Sequence, residues 1–276
     1  MSTMDWEIRR YRRGGEAEEL ADRVVVELPL EIVVNGLPLV ALMRLPGMDK
    51  ELAAGFCLTE KVIENASQIG LLKHCGEMER QIGEGQEVED TELDRGNVVE
   101  IEIESPGERG RFSSTYVVRT GCGGADLSAI EDYHEGAITS ELRVREEVIY
   151  GIGDELTRSQ EIFRGTGGTH GAGIFSPEGE VLVVAEDVGR HNALDKTVGW
   201  CALRGMSLED KILMISGRIS YEMALKAVRV RIPLLVSMAA PTSLGLKVAE
   251  AAGLTVVGFC DGKRFNVYTH PRRVVP

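Results

Sequence analysis

From residue 141 to the C-terminus the chain alternates apolar β-type runs with helical patterns, and this alternation restricts the fold more than any other feature. A helical pattern runs from Glu141 to Phe163. Strand-like runs then occur at Val181 to Val184, Ile212 to Ile215, Leu234 to Val236 and Leu254 to Val257. Helical patterns from about His191 to Leu203, Ser220 to Val228 and Thr242 to Ala252 separate them, and Phe265 to Tyr268 closes the series. Alternation at this spacing predicts a largely parallel sheet with helices packed on it. In such sheets ligands bind at the carboxyl ends of the strands, where loops lead into the next helix.

The N-terminal part follows a different grammar. The first 20 or so residues are charged and read as an edge strand or a loose arm. Residues 23–45 read as a hairpin, with Val24, Val25 and Val26 leading into Glu31 to Val34 and Asn35-Gly36 at the turn. A helix is expected from Asp49 to Glu64, with Asp49 able to cap it. Residues 76–95 read as an acidic, solvated loop. Asn97 to Glu104 alternates as a strand, with Phe112 to Val118 as its hairpin partner. The expected architecture is therefore α/β in class, with a smaller α+β N-terminal domain over residues 1–120 and a second domain over 121–276.

Four turns in the second half collect unusual residues at equivalent places. After Val184 comes Ala185-Glu186-Asp187-Val188-Gly189-Arg190-His191-Asn192, and after Ile215 comes Ser216-Gly217-Arg218. Next come Ala239-Ala240-Pro241-Thr242-Ser243 and Phe259-Cys260-Asp261-Gly262-Lys263-Arg264. Glycine, hydroxyl and cationic residues on one sheet edge suit an anionic ligand. Helix-start amides favour negative charge, and arginine binds phosphate bidentately. Each turn alone has a plainer reading: Arg218 in a surface ion pair, Thr242 or Ser243 as a helix cap, His191 as a satisfied polar residue at a helix start. A further segment, Gly165-Thr166-Gly167-Gly168-Thr169-His170-Gly171, is glycine-rich but lacks the lysine and spacing of a P-loop.

Cys122 lies between Gly121 and Gly123-Gly124. Small neighbours present a thiol instead of packing it, which suits a nucleophile, a sulfur carrier or a metal ligand. An incidental cysteine in a tight turn remains the alternative. The five cysteines, at 57, 75, 122, 201 and 260, are odd in number and widely spaced, so they form no disulfide framework and predict a reducing, cytoplasmic setting. Cys57 and Cys201 fall on apolar helix patterns and read as core. The net charge of −13 argues against nucleic acid as partner. No apolar run approaches the ~18 residues of a membrane helix. The zinc-deaminase strings His-x-Glu and Pro-Cys-x-x-Cys are absent, as is Gly-x-Ser-x-Gly of serine hydrolases.

Taken together, Glu186 to Lys196, Ser216 to Met223, Ala240 to Leu244 and Arg264 to Pro271 resemble the FdhD family, sulfurtransferases required for formate dehydrogenase activity. Thr166 to His170 and the N-terminal hairpin with Pro46-Gly47 add to the likeness, which covers nearly the whole chain. The resemblance implies a cytidine-deaminase-like α/β/α second domain that has lost the zinc chemistry and holds no metal of its own. It implies a homodimer that takes sulfur from a cysteine desulfurase and passes it, through a persulfide on Cys122, to the molybdenum or tungsten bis-(molybdopterin guanine dinucleotide) cofactor. Formate dehydrogenase would be the client. The expected acceptor site comprises Arg190, His191, Ser216, Arg218, Ser243, Phe259, Cys260, Asp261, Gly262, Lys263 and Arg264, with GDP as a fragment ligand. One departure concerns the loop: many members carry Cys-x-x-Cys, whereas Ala125 stands here at the second position. Two other readings compete. One is a non-catalytic chaperone that only holds the cofactor. The other is a thiol hydrolase pairing Cys122 with His170 or His191.

Overall fold

The computed structural model describes residues 2–75, 97–104 and 138–276. The expected domain boundary near residue 120, the loop over 76–95 and the strand over 112–118 lie mostly or wholly outside these residues. The chain opens with a two-stranded antiparallel ribbon, β1 (Thr3–Arg10) against β2 (Glu18–Val25). Val24 and Val25 thus pair with β1, and the expected hairpin begins later, as β3 (Leu28–Val34) and β4 (Leu37–Arg44). Asn35 and Gly36 both take positive φ at its tip, the conformation a two-residue hairpin turn demands.

Helix α1 (Asp49–Thr59) follows. Asp49 is its first residue, not its cap. The preceding position is Met48 in the left-handed region, and the Asp49 carboxylate accepts a 3.0 Å hydrogen bond from buried Arg44. The helix stops five residues before Glu64, where the chain reverses with Lys61 at φ 60° and the amide of Val62 donates back to Cys57. Strand β5 (Ile69–Cys75), not anticipated from the sequence, pairs antiparallel with β6 (Val98–Ile103), and β6 runs parallel to β3. The result is a four-stranded sheet of order β4-β3-β6-β5.

The single helix expected over Glu141 to Phe163 is three elements: β7 (Val144–Arg145), α2 (Glu146–Ser159) and α3 (Glu161–Thr166). The break falls at Gln160, whose side chain is buried against the backbone of Gly171. Beyond it the Glu186 carboxylate accepts from the amides of Ile162 and Phe163, each at 2.8 Å, and so starts a new helix.

The remaining elements are β8 (His170–Phe175), β9 (Val181–Asp187), α4 (Arg190–Ala202), β10 (Ile212–Ile215), α5 (Tyr221–Arg229), β11 (Leu234–Ser237), α6 (Ser243–Ala252), β12 (Thr255–Gly258), β13 (Asn266–Thr269) and β14 (Val274–Val275). They build a six-stranded sheet of order β13-β12-β11-β10-β8-β9. Strands β10, β11 and β12 are parallel, and β9 shares their direction through the antiparallel β8. The sheet is therefore largely parallel, as expected, with β8 added as a strand that the sequence reading passed over. Alternation along the strands fills two cores. Ile212, Met214, Leu234, Val236 and Val257 pack with Ile149, Ile152 and Leu156 of α2. Leu213, Ile215, Leu235 and Val256 face the opposite way, into a core shared with α4, α5, α6, α1 and the four-stranded sheet.

Helices α1 and α4 cross at backbone contact. A Cβ added to Gly55 would collide with the carbonyl oxygen of Asp195, and one added to Gly199 would collide with that of Glu51. Only hydrogen fits at either point. We expect Gly55→Ala and Gly199→Ala each to lose at least about 2 kcal/mol in urea unfolding through overpacking. Gly151→Ala, in α2 with open space around it, should instead gain roughly 0.5–1 kcal/mol from helix propensity.

Candidate functional site

The turn after β9 contains the longest of the singled-out strings, and its acids and amides prove to be scaffold. Asp187 is fully buried. One carboxylate oxygen accepts from the amide of Leu45 (3.1 Å) and pairs with Lys196 (2.8 Å). The other accepts from the Gly189 amide (2.9 Å) and from Asn192 (3.0 Å). Asn192 also donates to the Met43 carbonyl, and Lys196 to the Leu45 carbonyl, both at 2.8 Å. A buried ion pair is tolerated when every remaining lone pair and proton finds a partner, and this one does. It fixes the start of α4 and clips it to the corner between β4 and α1.

That clip presents Arg190 and His191, the first residues of α4, at the carboxyl edge. Gly217 lies under them: a Cβ there would sit 3.4 Å from the Arg190 side chain and 3.5 Å from Nδ1 of His170. His170 arrives at this edge because β8 runs antiparallel and starts where its neighbours end. Sequence reasoning added the glycine-rich segment containing His170 to the four turns, but without β8 it could not say how that segment reaches the edge. The one available signal for β8 was the apolar run following Gly171. Ser216 is tied into the same spot by hydrogen bonds exchanged with Gly171 (2.9 and 3.0 Å).

The next turns are stitched together. Ser237 donates to the Gly217 carbonyl (2.7 Å) and accepts from the Ala239 amide (2.9 Å). The amides of Phe259 and Cys260 donate to Ala239 and Ser237. Thr242, not Ser243, caps α6 by accepting from Gly245 (3.2 Å), which leaves Ser243 exposed on the first turn. Asp261 accepts from the amides of Lys263 and Arg264, both at 3.0 Å, and these bonds hold its carboxyl below the usual range. Gly262 takes φ 77° in the same turn, and Lys263 and Arg264 stand exposed on it. Phe259 is half-buried with φ 54°. Arg218 is exposed and makes no ion pair among the described residues. Cys260 is turned away from the edge: fully buried, its thiol donates to the Ile149 carbonyl at 3.2 Å, and burial pushes its pKa up to about 11.

The structure thus brings Arg190, His191, Ser216 and Arg218 to one part of the edge, beside His170, and Phe259, Asp261, Gly262, Lys263 and Arg264 to another. The two are linked by the Ser237 turn. Cys122 and Ala125 lie outside the described residues. The edge is cationic, and its surroundings disfavour protonation of both imidazoles. Burial, reinforced by Lys226 and Arg190, drops His191 to about 3 against the pull of Glu60. Burial and then Arg190 lower His170 as well. His191 Nε2 lies 3.0 Å from Glu222, as a neutral ring beside a carboxylate. The buried Nε of Arg190 and Oγ of Ser220 have no hydrogen-bond partner among the described residues. Buried polar atoms rarely stay unpaired, and Nε2 of His191 is a third such atom on this edge.

Behind this edge a second buried network anchors α5. Lys226 contacts Asp195 (2.8 Å), Thr59 (2.8 Å) and Glu60 (2.9 Å). Burial opposes its charge, but Asp195 and Glu60 outweigh that penalty and raise its pKa. Arg229 completes the network on Glu60 (3.1 Å) and the Thr59 carbonyl (2.6 Å).

Fold and edge together define an α/β protein whose strand-to-helix turns form a hydrogen-bonded, cationic, glycine-lined rim. The sequence model of the FdhD/NarQ family matches residues 25–275, and the chain belongs to that family. It is 36% identical over 272 residues to the sulfur carrier protein FdhD of Saccharolobus solfataricus, covering 95% of each chain. It is 37% identical over 273 residues to that of Streptomyces avermitilis, covering 95% of this chain and 92% of the relative. The Mycobacterium tuberculosis protein of the same name is 36% identical over 261 residues, covering 92% of each. A crystal structure from Desulfotalea psychrophila, of a protein described as a formate dehydrogenase accessory protein, superposes over the full length of both chains. Its TM-score is 0.79 at 24% identity, and it supports the mixed α/β fold. No helix among the described residues is long and apolar enough to cross a membrane.

The depressed pKa of His191 has a measurable consequence. An unfolded histidine takes a proton near pH 6.5, whereas folded His191 stays neutral down to about 3. Between those values the unfolded state binds the extra proton, so stability falls as pH is lowered through this window. We expect the His191 ring resonances to remain unchanged through pH 6.5 in a two-dimensional NMR titration. We also expect His191→Gln to lose less stability than wild type between pH 6.5 and 4.

Proposed function

We propose that this protein is a sulfur carrier that takes sulfur from a cysteine desulfurase onto Cys122 and delivers it to a bis-(molybdopterin guanine dinucleotide) cofactor of molybdenum or tungsten. The client is a formate dehydrogenase. The reading rests first on the full-length match to relatives named sulfur carrier protein FdhD. It is supported by the state of the other thiols. Cys57, Cys75, Cys201 and Cys260 are all buried, and burial pushes Cys57 to about 12 and Cys201 and Cys260 to about 11. Thiols held protonated in a core are poor nucleophiles. That leaves the glycine-flanked Cys122 as the thiol for the chemistry.

In the transfer, the Cys122 thiolate attacks the outer sulfur of the donor persulfide. A new S–S bond forms at Cys122, the donor S–S bond breaks, and the donor leaves as a thiolate. This is a sulfurtransferase reaction, and with Ala125 in place of a second loop cysteine it runs through one thiol. The reading sets this chemistry in the cytoplasm, where thiols stay reduced. The acceptor is a bulky polyanion, and the rim suits it. Among the described residues, exposed Lys263, Arg264 and Arg218 have no ion-pair partner apart from the loose contact of Arg264 with Asp261 at 3.9 Å. Phe259 and the Gly262 turn can take a guanine–pyrophosphate end. Arg190, whose Nε has no partner among the described residues, Ser216, His191 and Ser243 line the same edge. The strand order β9-β8-β10-β11-β12, with β8 alone reversed, supports the cytidine-deaminase-like reading of this domain.

Incubation with a cysteine desulfurase and cysteine should add one sulfur mass to the intact protein, mapped to Cys122 and absent from Cys122→Ala. Cys260→Ser should keep most sulfur transfer, because its thiol is packed under α2. Sulfur found on Cys57 or Cys201, or loss of transfer in Cys260→Ser with the fold intact, would refute the single-thiol mechanism. A separate measurement tests the acceptor edge. By calorimetry, Arg218→Ala and Lys263→Ala should each weaken GDP binding by about 1–3 kcal/mol, the cost of a lost charged hydrogen bond. Unchanged affinity in both variants would rule the edge out as the nucleotide site.

A further inference from the structure

The loop that joins β12 to β13 is seated on α2. The Cys260 thiol donates to the Ile149 carbonyl at 3.2 Å, and a Cβ added to Gly153 would lie 3.2 Å from that sulfur. The rings of Tyr150 and Phe265 pack with centroids 4.9 Å apart. Gly262 meets Asp154: a Cβ there would lie 2.6 Å from the Asp154 carboxylate. Two constraints therefore hold position 262 to glycine, its φ of 77° and the carboxylate beside it.

The polar groups of this loop are already spoken for, with one exception. The amides of Phe259, Cys260 and Asp261 donate to the carbonyls of Ala239, Ser237 and Arg264. The Gly262 amide turns to the Cys260 sulfur. Those of Lys263 and Arg264 share Asp261 Oδ1. No amide from 259 to 264 is left for phosphate, so the turn is not an anion-binding nest of backbone amides. Phosphate at this loop falls to the side chains of Lys263 and Arg264. The exception is Asp154. It stands exposed on α2 and makes no hydrogen bond or ion pair among the described residues. Arg158, one helical turn on, is bonded to Glu155 instead.

A carboxylate beside a loop that takes a polyanion is repelled by phosphate and must face something else. Guanine supplies it. Its N1–H and exocyclic N2–H lie side by side and match the two oxygens of a carboxylate, a bidentate, charge-assisted pair. Adenine presents an acceptor, its own N1, at the same place. We propose that Asp154 is the base-specificity residue of this edge, its carboxylate accepting from N1–H and N2–H of guanine while Lys263 and Arg264 hold the pyrophosphate. The assignment rests on the nucleotide edge of the sulfur-carrier reading and adds the group that tells guanine from other bases. Phosphates are common to every nucleotide, so the two cations cannot make that distinction.

Calorimetry on the full chain with the diphosphates of guanosine, inosine and xanthosine reads each contact separately. Inosine lacks the N2 amine, and xanthosine carries an oxygen in its place. Wild type should bind GDP at least about tenfold more tightly than inosine diphosphate, the effect of one hydrogen bond to a charged group. Asp154→Asn should weaken GDP at least about tenfold by the same reasoning. It should also bind xanthosine diphosphate more tightly than wild type does, because its amide donates to the xanthine oxygen while its carbonyl accepts from N1–H. Lys263→Ala should weaken the guanosine and inosine diphosphates by one common factor, since both carry the same phosphates. Loss on one nucleotide with gain on another is not the result of a disturbed loop. The assignment is overturned, with the nucleotide edge left standing, if wild type binds the guanosine and inosine diphosphates equally, or if Asp154→Asn keeps the wild-type ratio of GDP to xanthosine diphosphate affinity. A wild type that binds no GDP overturns both.

Discussion

The Asp187 carboxylate is the point on which the rest of the molecule hangs. Four groups reach it: the amides of Leu45 and Gly189, the side-chain amide of Asn192 and the ammonium of Lys196. Removing it would strand a buried lysine, and breaking a buried pair in this way typically costs about 3–5 kcal/mol. It sets the direction in which α4 leaves β9, and so sets where Arg190 and His191 stand. It also ties that helix to the corner before α1, so the N-terminal sheet and the six-stranded sheet share one core.

The Lys226 cluster does the same for α5 from the other side of α1. Thr59, Glu60, Asp195 and Arg229 close around one ammonium. Both clusters use charged residues in places that hydrocarbon could fill, and their effect is positional. Hydrocarbon packing tolerates sliding, whereas a carboxylate with all its partners in place fixes one geometry. The cationic rim needs that rigidity, because its own exposed arginines and lysines have few partners to hold them.

Much of this was legible in the sequence. The Asn35-Gly36 turn, the strands at β6, β9, β10, β11 and β12 and the helices at α4, α5 and α6 follow from periodicity and turn chemistry, since local signals and tertiary packing agree there. The failures have specific causes. Strand β8 is rich in glycine because Gly171 must admit Gln160 and Gly173 sits against Phe175, and glycine erases strand propensity. The break at Gln160 depends on a carboxylate 26 residues away, at Glu186, which no local pattern contains. Asp187 and Asn192 fell inside a turn read as part of a ligand edge, and polar residues beside a glycine turn look the same whether they face a ligand or one another. Cys260 follows the end of β12 by two positions, and the sequence could not say that the chain turns it under α2.

The crossing of α1 and α4 at Gly55 and Gly199 has a consequence for how the chain can be divided. Each helix meets the other with bare peptide units, so each would present a stripe of backbone to water if the other were missing. A side-chain interface can be redesigned with polar residues to make a half soluble. A backbone interface offers nothing to redesign, because any added atom occupies the partner's place. The N-terminal segment and the α4 region are therefore halves of one cooperative unit, and neither can be cut away cleanly from the other.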